Sequence, residues 1–273
     1  MSLCSSQNRL FASEILAAYE GRRQIGPLTS LEPTFSTEDA QRVSHEITRR
    51  RVAAGARVIG RKIGFTNRTI WDEYGVYAPI WGPVYDTTYR DAAGPAEQAL
   101  GHLVEPRIEP EIVFGFAGEV HPDMDEREIL GTISWVAHGF EIVQSLYPGW
   151  KFQSADCTAA FGLHGALICG PRTPVTGDPE GWLADLTSFA ITLSKNGEVV
   201  DRGVAANVLD GPLSAVRHLA GVLANDPQAR PIGGGEIITT GTVTRAFPIL
   251  PGEEWSTLVE GLPVEPMRLR FTA

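Results

Sequence analysis

The sequence predicts an α+β fold: a helical N-terminal region over residues 1–90 that includes one strand, then a β-rich region over residues 91–273. Two observations carry this. Apolar residues recur at helical spacing early in the chain, and from about Ala92 onward short apolar runs alternate with turn residues. From about Gln7 to Glu20, Leu10, Phe11, Ile15, Leu16 and Tyr19 share a helical face. A second helix begins after Ser36, where Asp39 stands three residues on as a capping signal and Gly55 supplies a stop. The texture then changes, and the branched, glycine-punctuated "ARVIGRKIGFTN" reads as a strand carrying Lys62.

Further strands are predicted in "EIVFGF", "FEIVQS", "HGALICG", "SFAITLSKNGEVV" and "GEIITTGTV". Asn196-Gly197 joins two alternating runs and predicts a tight hairpin, because both residues accept positive φ. One helix interrupts the strands, in "DMDEREILGTISWV", with Asp123 and Glu126 placed to cap its start.

A formal charge of -10 opposes binding to nucleic acid or anionic lipid, so neither is an expected partner. The basic run Arg49 to Arg51 follows a helix-like segment and reads as a solvated face. The N-terminus lacks a basic start followed by an apolar run, and no stretch is long enough to span a bilayer, so a soluble, cytoplasmic protein is expected. Cys4, Cys157 and Cys169 are far apart, as reduced thiols would be. The glycine-rich segment near the end lacks the Gly-Lys-Ser/Thr ending of a phosphate loop.

The chemistry centres on "RIEPEIVFGF". In a strand, residues i and i+2 share a face, so the carboxylates of Glu109 and Glu111 stand side by side at the margin of an apolar run. Glu141, in "AHGFEIV", adds a third carboxylate on a strand expected nearby. Carboxylates so placed need positive charge, and two sources fit. A hard divalent cation takes oxygen ligands of this kind; alternatively, Glu109 pairs with Arg107 or Arg61 and Glu141 with another basic residue. His138 falls on the opposite strand face from Glu141 and is not expected as a ligand.

Taken together and in order, "GRKIGFTN", "PRIEPEIVF", "GFEIV", "GWKFQSAD" and "GEIITTGTVT" resemble the hydratase/decarboxylase branch of the fumarylacetoacetate hydrolase superfamily, from about residue 10 to the end. The resemblance implies a fumarylacetoacetate hydrolase-like C-terminal domain in which Glu109, Glu111 and Glu141 bind Mg2+ or Mn2+. It places Lys62 at the carboxylate or enol of a small 2-oxo acid, and Gly241 and Thr242 in contact with substrate. It implies a hydratase acting on a 2-hydroxydienoate or 2-oxo-enoate in aromatic-compound catabolism. The alternatives are a decarboxylase of 4-oxalocrotonate type, an acylpyruvate-type carbon–carbon hydrolase, or a non-catalytic subunit that binds a partner enzyme. A homo-oligomer is expected. Two departures stand out: Ile80-Trp81-Gly82 occupies the place of the family's Asp-Phe-Gly element, and Ala159-Ala160-Phe161 that of Ala-Asp-Asn. Asp156 and His164 therefore become the candidates for proton transfer. Trp81 is a candidate for the substrate pocket, with core packing as its alternative reading.

Overall fold

The computed structural model describes residues 4–273; Met1 to Leu3, where the reading for an export signal begins, lie outside the described residues. The chain opens with α1 (Ser5–Glu20), the short α2 (Leu28–Leu31) and α3 (Thr37–Ala53). Ser36 caps α3 as expected: its hydroxyl accepts from the Asp39 amide at 3.1 Å, and Asp39 completes the capping box. β1 (Val58–Gly64) carries Lys62, and α4 (Trp71–Tyr74) leads to β2 (Ile80–Tyr85), β3 (Tyr89–Asp91) and β4 (Ala96–Ala99).

The centre of the chain is β5 (Arg107–Phe116), α5 (Glu126–Leu130), β6 (Ile133–Val143), α6 (Ser154–Ala159), β7 (His164–Cys169) and β8 (Thr173–Pro174). It is followed by α7 (Pro179–Ser188), β9 (Ala190–Lys195), β10 (Glu198–Val204), α8 (Pro212–Ala224), β11 (Ile237–Thr242), β12 (Phe247–Pro248), β13 (Glu254–Glu260) and β14 (Arg268–Thr272). The β9–β10 turn has positive φ at Asn196 and Gly197, as the sequence required. The predicted helix around Glu126 is shorter than its sequence pattern. Asp125, with Glu128 as its partner, caps it instead of Asp123, and "ISWV" belongs to β6, because pairing with β5 overrides local helical character. Helices α7 and α8 were not legible as such. Leu213, Val216, Leu219 and Leu223 of α8 nevertheless recur at helical spacing and are buried.

Helix and strand thus mix in a fold built on two sheets. The larger has the order β2-β1-β11-β5-β6-β7-β3, with β12 added on β5 and β8 on β6; the smaller has the order β10-β9-β13-β14-β4. The larger sheet takes β1 and β2 from before residue 90, β3 from across it and its other strands from after it. Ile108, Phe140, Ile142 and Ile168 pack against Leu193, Trp255, Leu269 and Phe271 of the smaller sheet. α1 and α3 bury Ile15, Val43 and Ile47 together with Cys157 and Phe161 near α6. Among the described residues, no helix is long and apolar enough to cross a membrane.

Candidate active site

Strand alternation assembles the carboxylates. β5 and β6 are antiparallel with Glu109 directly opposite Glu141 and Glu111 opposite Gly139, so all three glutamates lie on one face. Their carboxylate oxygens come within 4.8 Å of one another. His138 is on the other face, where its Nδ1 lies 2.9 Å from the Glu111 carbonyl. Lys62 enters from β1, two strands from β5, and its Nζ lies 3.3 Å from Glu141 Oε2 with both side chains closed to solvent. Of the ion pairs considered from sequence, Arg61 goes to Glu236 at 2.7 Å rather than to the triad, and Glu141 takes Lys62.

Each buried carboxylate is fixed by particular donors. The Thr239 hydroxyl and the Gly241 amide, the latter at 2.8 Å, both donate to Glu111 Oε2. A register shift in β11 between Thr239 and Thr242 aims both donors at that oxygen. Gly241 is required there: φ is +102°, and a Cβ would lie 1.8 Å from Thr66 Oγ1. His164 Nδ1 lies 2.8 Å from Glu141 Oε1, and its Nε2 lies 2.8 Å from Thr88 Oγ1. Gly162, at φ +70°, leaves room for Lys62, whose Cδ a Cβ would approach to 2.9 Å.

The electrostatics show an unbalanced centre. Burial, reinforced by Glu141 and Glu109, pushes the Glu111 carboxyl well above the usual carboxylate range. Burial also pushes Glu109 up to about 7, although Lys62 opposes it. Burial acts the same way on Glu141, but Lys62 and His164 outweigh it and hold that carboxyl below its ordinary value. For Lys62, burial favours loss of the proton, yet Glu141, Glu109 and Glu111 prevail and hold the ammonium charged. One ammonium faces three carboxylates. Among the described residues, Glu111 Oε1 is buried with no hydrogen-bond donor and Glu141 Oε2 meets only the Lys62 ammonium, an arrangement that costs free energy unless a further cation joins them. Three carboxylates close together, with Glu111 Oε1 unsatisfied and a single ammonium among them, fit a hard divalent ion.

A cavity opens beside Lys62 and Glu109, walled by Phe65, Tyr74, Val143, Trp150, Leu163 and Thr242. Tyr74, whose hydroxyl accepts a hydrogen bond from Arg107, is pushed up to about 12 by burial. Arg107 also stacks on Trp150, its Cζ 4.4 Å from the ring centroid. Sequence reading had assigned no role to Tyr74, Thr239 or Thr88. Thr239 lies within the quoted "GEIITTGTVT", whereas Tyr74 and Thr88 sit in segments with no periodic signal.

Two sequence candidates are brought neither to the triad nor to this cavity. The Asp156 carboxylate accepts from the Thr29 amide at 3.0 Å, the Thr29 hydroxyl at 2.7 Å and the Gln153 amide at 2.8 Å, so it ties α2 to the start of α6. Trp81 pairs with Ile63, the neighbour of Lys62, and therefore points to the opposite face of the sheet. There it packs in the core with Ile63 and Ile112, meets the His45 ring edge-on, and lines a separate surface cleft.

No family model matches the chain. It is 33% identical to a 2-hydroxyhexa-2,4-dienoate hydratase from Comamonas testosteroni, over 90% of each chain. It is also similar to a solved 4-oxalocrotonate decarboxylase from Pseudomonas putida G7, complexed with magnesium and adipate, at 30% identity and a TM-score of 0.88 over 99% of both chains. A fumarylacetoacetate hydrolase family protein from yeast, at 14% identity, shares the fold alone, with a TM-score of 0.56 over 78% of this chain and 91% of its own.

Proposed function

This chain belongs to the hydratase/decarboxylase branch of the fumarylacetoacetate hydrolase superfamily, and on that premise we propose that it is a metal-dependent hydro-lyase. Its reaction is addition of water to a 2-hydroxydienoate or its 2-oxo-enoate tautomer, such as 2-oxopent-4-enoate, in the breakdown of aromatic compounds. The observation that carries the proposal is the triad of half-buried Glu109 with buried Glu111 and Glu141, facing the single ammonium of Lys62 and leaving Glu111 Oε1 without a donor. These residues would hold Mg2+ or Mn2+. Bound there, the cation would polarise the carboxylate and keto oxygens of a 2-oxo acid and favour its enolisation.

The protein's own groups supply the rest. Thr239 and Gly241 fix the orientation of Glu111, and His164 fixes that of Glu141, so the donor set is preorganised. Lys62 presents a charged ammonium to the substrate's anionic end. Phe65, Ile70, Val143 and Leu163 exclude water from its hydrocarbon chain, with Thr242 offering a hydroxyl on the same wall. Lys62 and the Tyr74 hydroxyl are the proton-transfer groups on the cavity wall outside the triad. His164 acts by orienting Glu141, because both its nitrogens are already engaged.

One observation favours a second reading, decarboxylation of a 4-oxalocrotonate-type substrate. Arg107 lies on the face of β5 that carries Glu109, beside the cavity residues Tyr74 and Trp150, where a second carboxylate would find a cation. Assembly as a homo-oligomer, association with a pathway partner enzyme and a cytoplasmic setting complete the proposal. Ultraviolet loss of freshly generated 2-hydroxypenta-2,4-dienoate, with and without Mg2+, tests the first reading, and CO2 release from 4-oxalocrotonate tests the second. Metal-dependent consumption of the dienoate to a hydroxylated 2-oxo acid is expected. Gas release without dienoate hydration would replace the hydratase by the decarboxylase, and silence in both would remove the proposal.

A further inference from the structure

A second cavity, of about 500 Å³, lies where α1 and α3 meet the edge of the larger sheet, and Thr88, Arg90, His102 and Gly165 are among its lining residues. Arg51 and Arg90 give it two positive charges, and among the described residues no acidic side chain lines it, although acids outnumber bases by 33 to 23 in the chain. Tyr19, Thr87 and Thr88 add hydroxyls. Burial and the nearby Arg22 hold the His102 imidazole below its usual pKa, a sign of positive potential on this side of the molecule.

Arg51 is the member of the basic run that the solvated-helix reading does not describe. Arg49 and Arg50 both pair with Glu46, whereas Arg51 lays its guanidinium on aromatic rings, 3.9 Å from the Tyr85 centroid and 5.1 Å from that of Tyr19. Stacking uses the flat face of a guanidinium and leaves its in-plane N–H groups available. Those of Arg51 have no acceptor among the described residues. An arginine held rigidly by its face, with a vacant donor edge on an acid-free cavity, is preorganised for bidentate recognition of an oxyanion.

The cavity is also connected to the metal-binding triad. Thr88 lines it, and its Oγ1 lies 2.8 Å from His164 Nε2 and 3.1 Å from the Tyr85 carbonyl, while His164 in turn fixes Glu141. The Thr88 hydroxyl has a single proton. That proton is shared between the Tyr85 carbonyl and His164 Nε2, so an oxyanion bound beside Thr88 would compete for it and alter what Thr88 offers His164, and thereby how firmly Glu141 is oriented.

We propose that this cavity is a binding site for a small oxyanion, carboxylate or phosphate, gripped by Arg51 and Arg90, and that its occupant modulates metal affinity through Thr88, His164 and Glu141. The site stands apart from the cavity beside Lys62, and binding to it is measurable without turnover.

The test is calorimetric titration of the metal-free protein with inorganic phosphate and, separately, with succinate, followed by Mn2+ titration with and without the anion that binds. Saturable binding of at least one anion to the wild type is expected, and the comparison of the two identifies which source of the oxyanion the site prefers. Arg51→Lys keeps the charge but loses the fork, and should weaken binding at least about fivefold. Arg90→Gln, at an exposed position where the guanidinium also donates to the Glu97 carbonyl, should also weaken it and serves if the Arg51 variant does not fold. The bound anion should change Mn2+ affinity at least about fivefold, the low end of ordinary coupling between sites, and Thr88→Val should abolish that change. No saturable binding of either anion, or binding unaltered in both arginine variants, would overturn the site. Binding with an unchanged Mn2+ affinity, or a change that persists in Thr88→Val, would overturn the link.

Discussion

Lys62 Nζ stands 3.3 Å from Glu141 Oε2 in a region closed to water, although the two residues come from strands separated by β11 and β5. The ammonium shares this space with three carboxylates, so it balances only part of their charge. This relationship governs how the site should respond to substitution.

Lys62→Met keeps most of the length of the side chain and removes its charge. Turnover should fall by about 10²–10³, the cost of losing one preorganised electrostatic contact to a developing charge. Mn2+ should bind as tightly as in the wild type or tighter, because a repelling cation has gone. Weaker Mn2+ binding in calorimetry would show that Lys62 supports the donor set rather than the substrate.

Glu111→Gln is nearly isosteric and removes one of the carboxylates that burial and its neighbours make hard to ionise. In chelator, its melting temperature should match or exceed that of the wild type, since like-charge repulsion is relieved. Addition of Mg2+ should raise the melting temperature of the wild type alone. Metal-dependent turnover should disappear; equal activity of both proteins in metal-titrated assays would exclude the triad from the mechanism.

Asp156→Asn tests the structural assignment of a residue that sequence placed in catalysis. Three charge-assisted hydrogen bonds to Thr29 and Gln153 become weaker or are lost. Destabilisation of about 2–3 kcal/mol, or several degrees in melting temperature, is expected. The kcat of the folded fraction should stay within about threefold of the wild type. A 100-fold loss of kcat in well-folded protein would return Asp156 to the proton-transfer step.

His138 sets a pH dependence of stability. Burial lowers its folded-state pKa to about 4, below the ordinary histidine value of about 6.5 in the unfolded chain. Between those values the unfolded state binds the proton more readily, so stability falls as pH drops from about 6.5 towards 4 and is fully present above that window. The contribution is at most about 3 kcal/mol. His138→Gln should flatten the urea-denaturation profile across this range at saturating Mg2+, and identical slopes for both proteins would count against the assignment.

Much of the site could be read from local pattern. The spacing of Glu109 and Glu111 placed both on one face because strand side chains alternate, and the same rule put His138 away from Glu141. Less could be read where a residue's role depends on contacts remote in the chain. Asp156 sits beside a plausible catalytic segment, yet its partner is Thr29, 127 residues away. Trp81 lies in β2, which the sequence pattern did not reveal, and which face met the cavity depended on the pairing of Ile63 with Trp81 and Lys62 with Gly82.

The sequence by itself determined that helix and strand both build the fold, that Ser36 caps α3, that Asn196-Gly197 makes a hairpin, and that two glutamates share a face. Each follows from periodicity or backbone preference within a few residues. Only the tertiary structure decided that Glu141 stands opposite Glu109, that Lys62 reaches them from β1, and that Thr88 and His164 connect them to a second cavity. Strand order and register arise from burial of surfaces far apart in the chain, and local side-chain pattern constrains which face is buried without specifying what it meets.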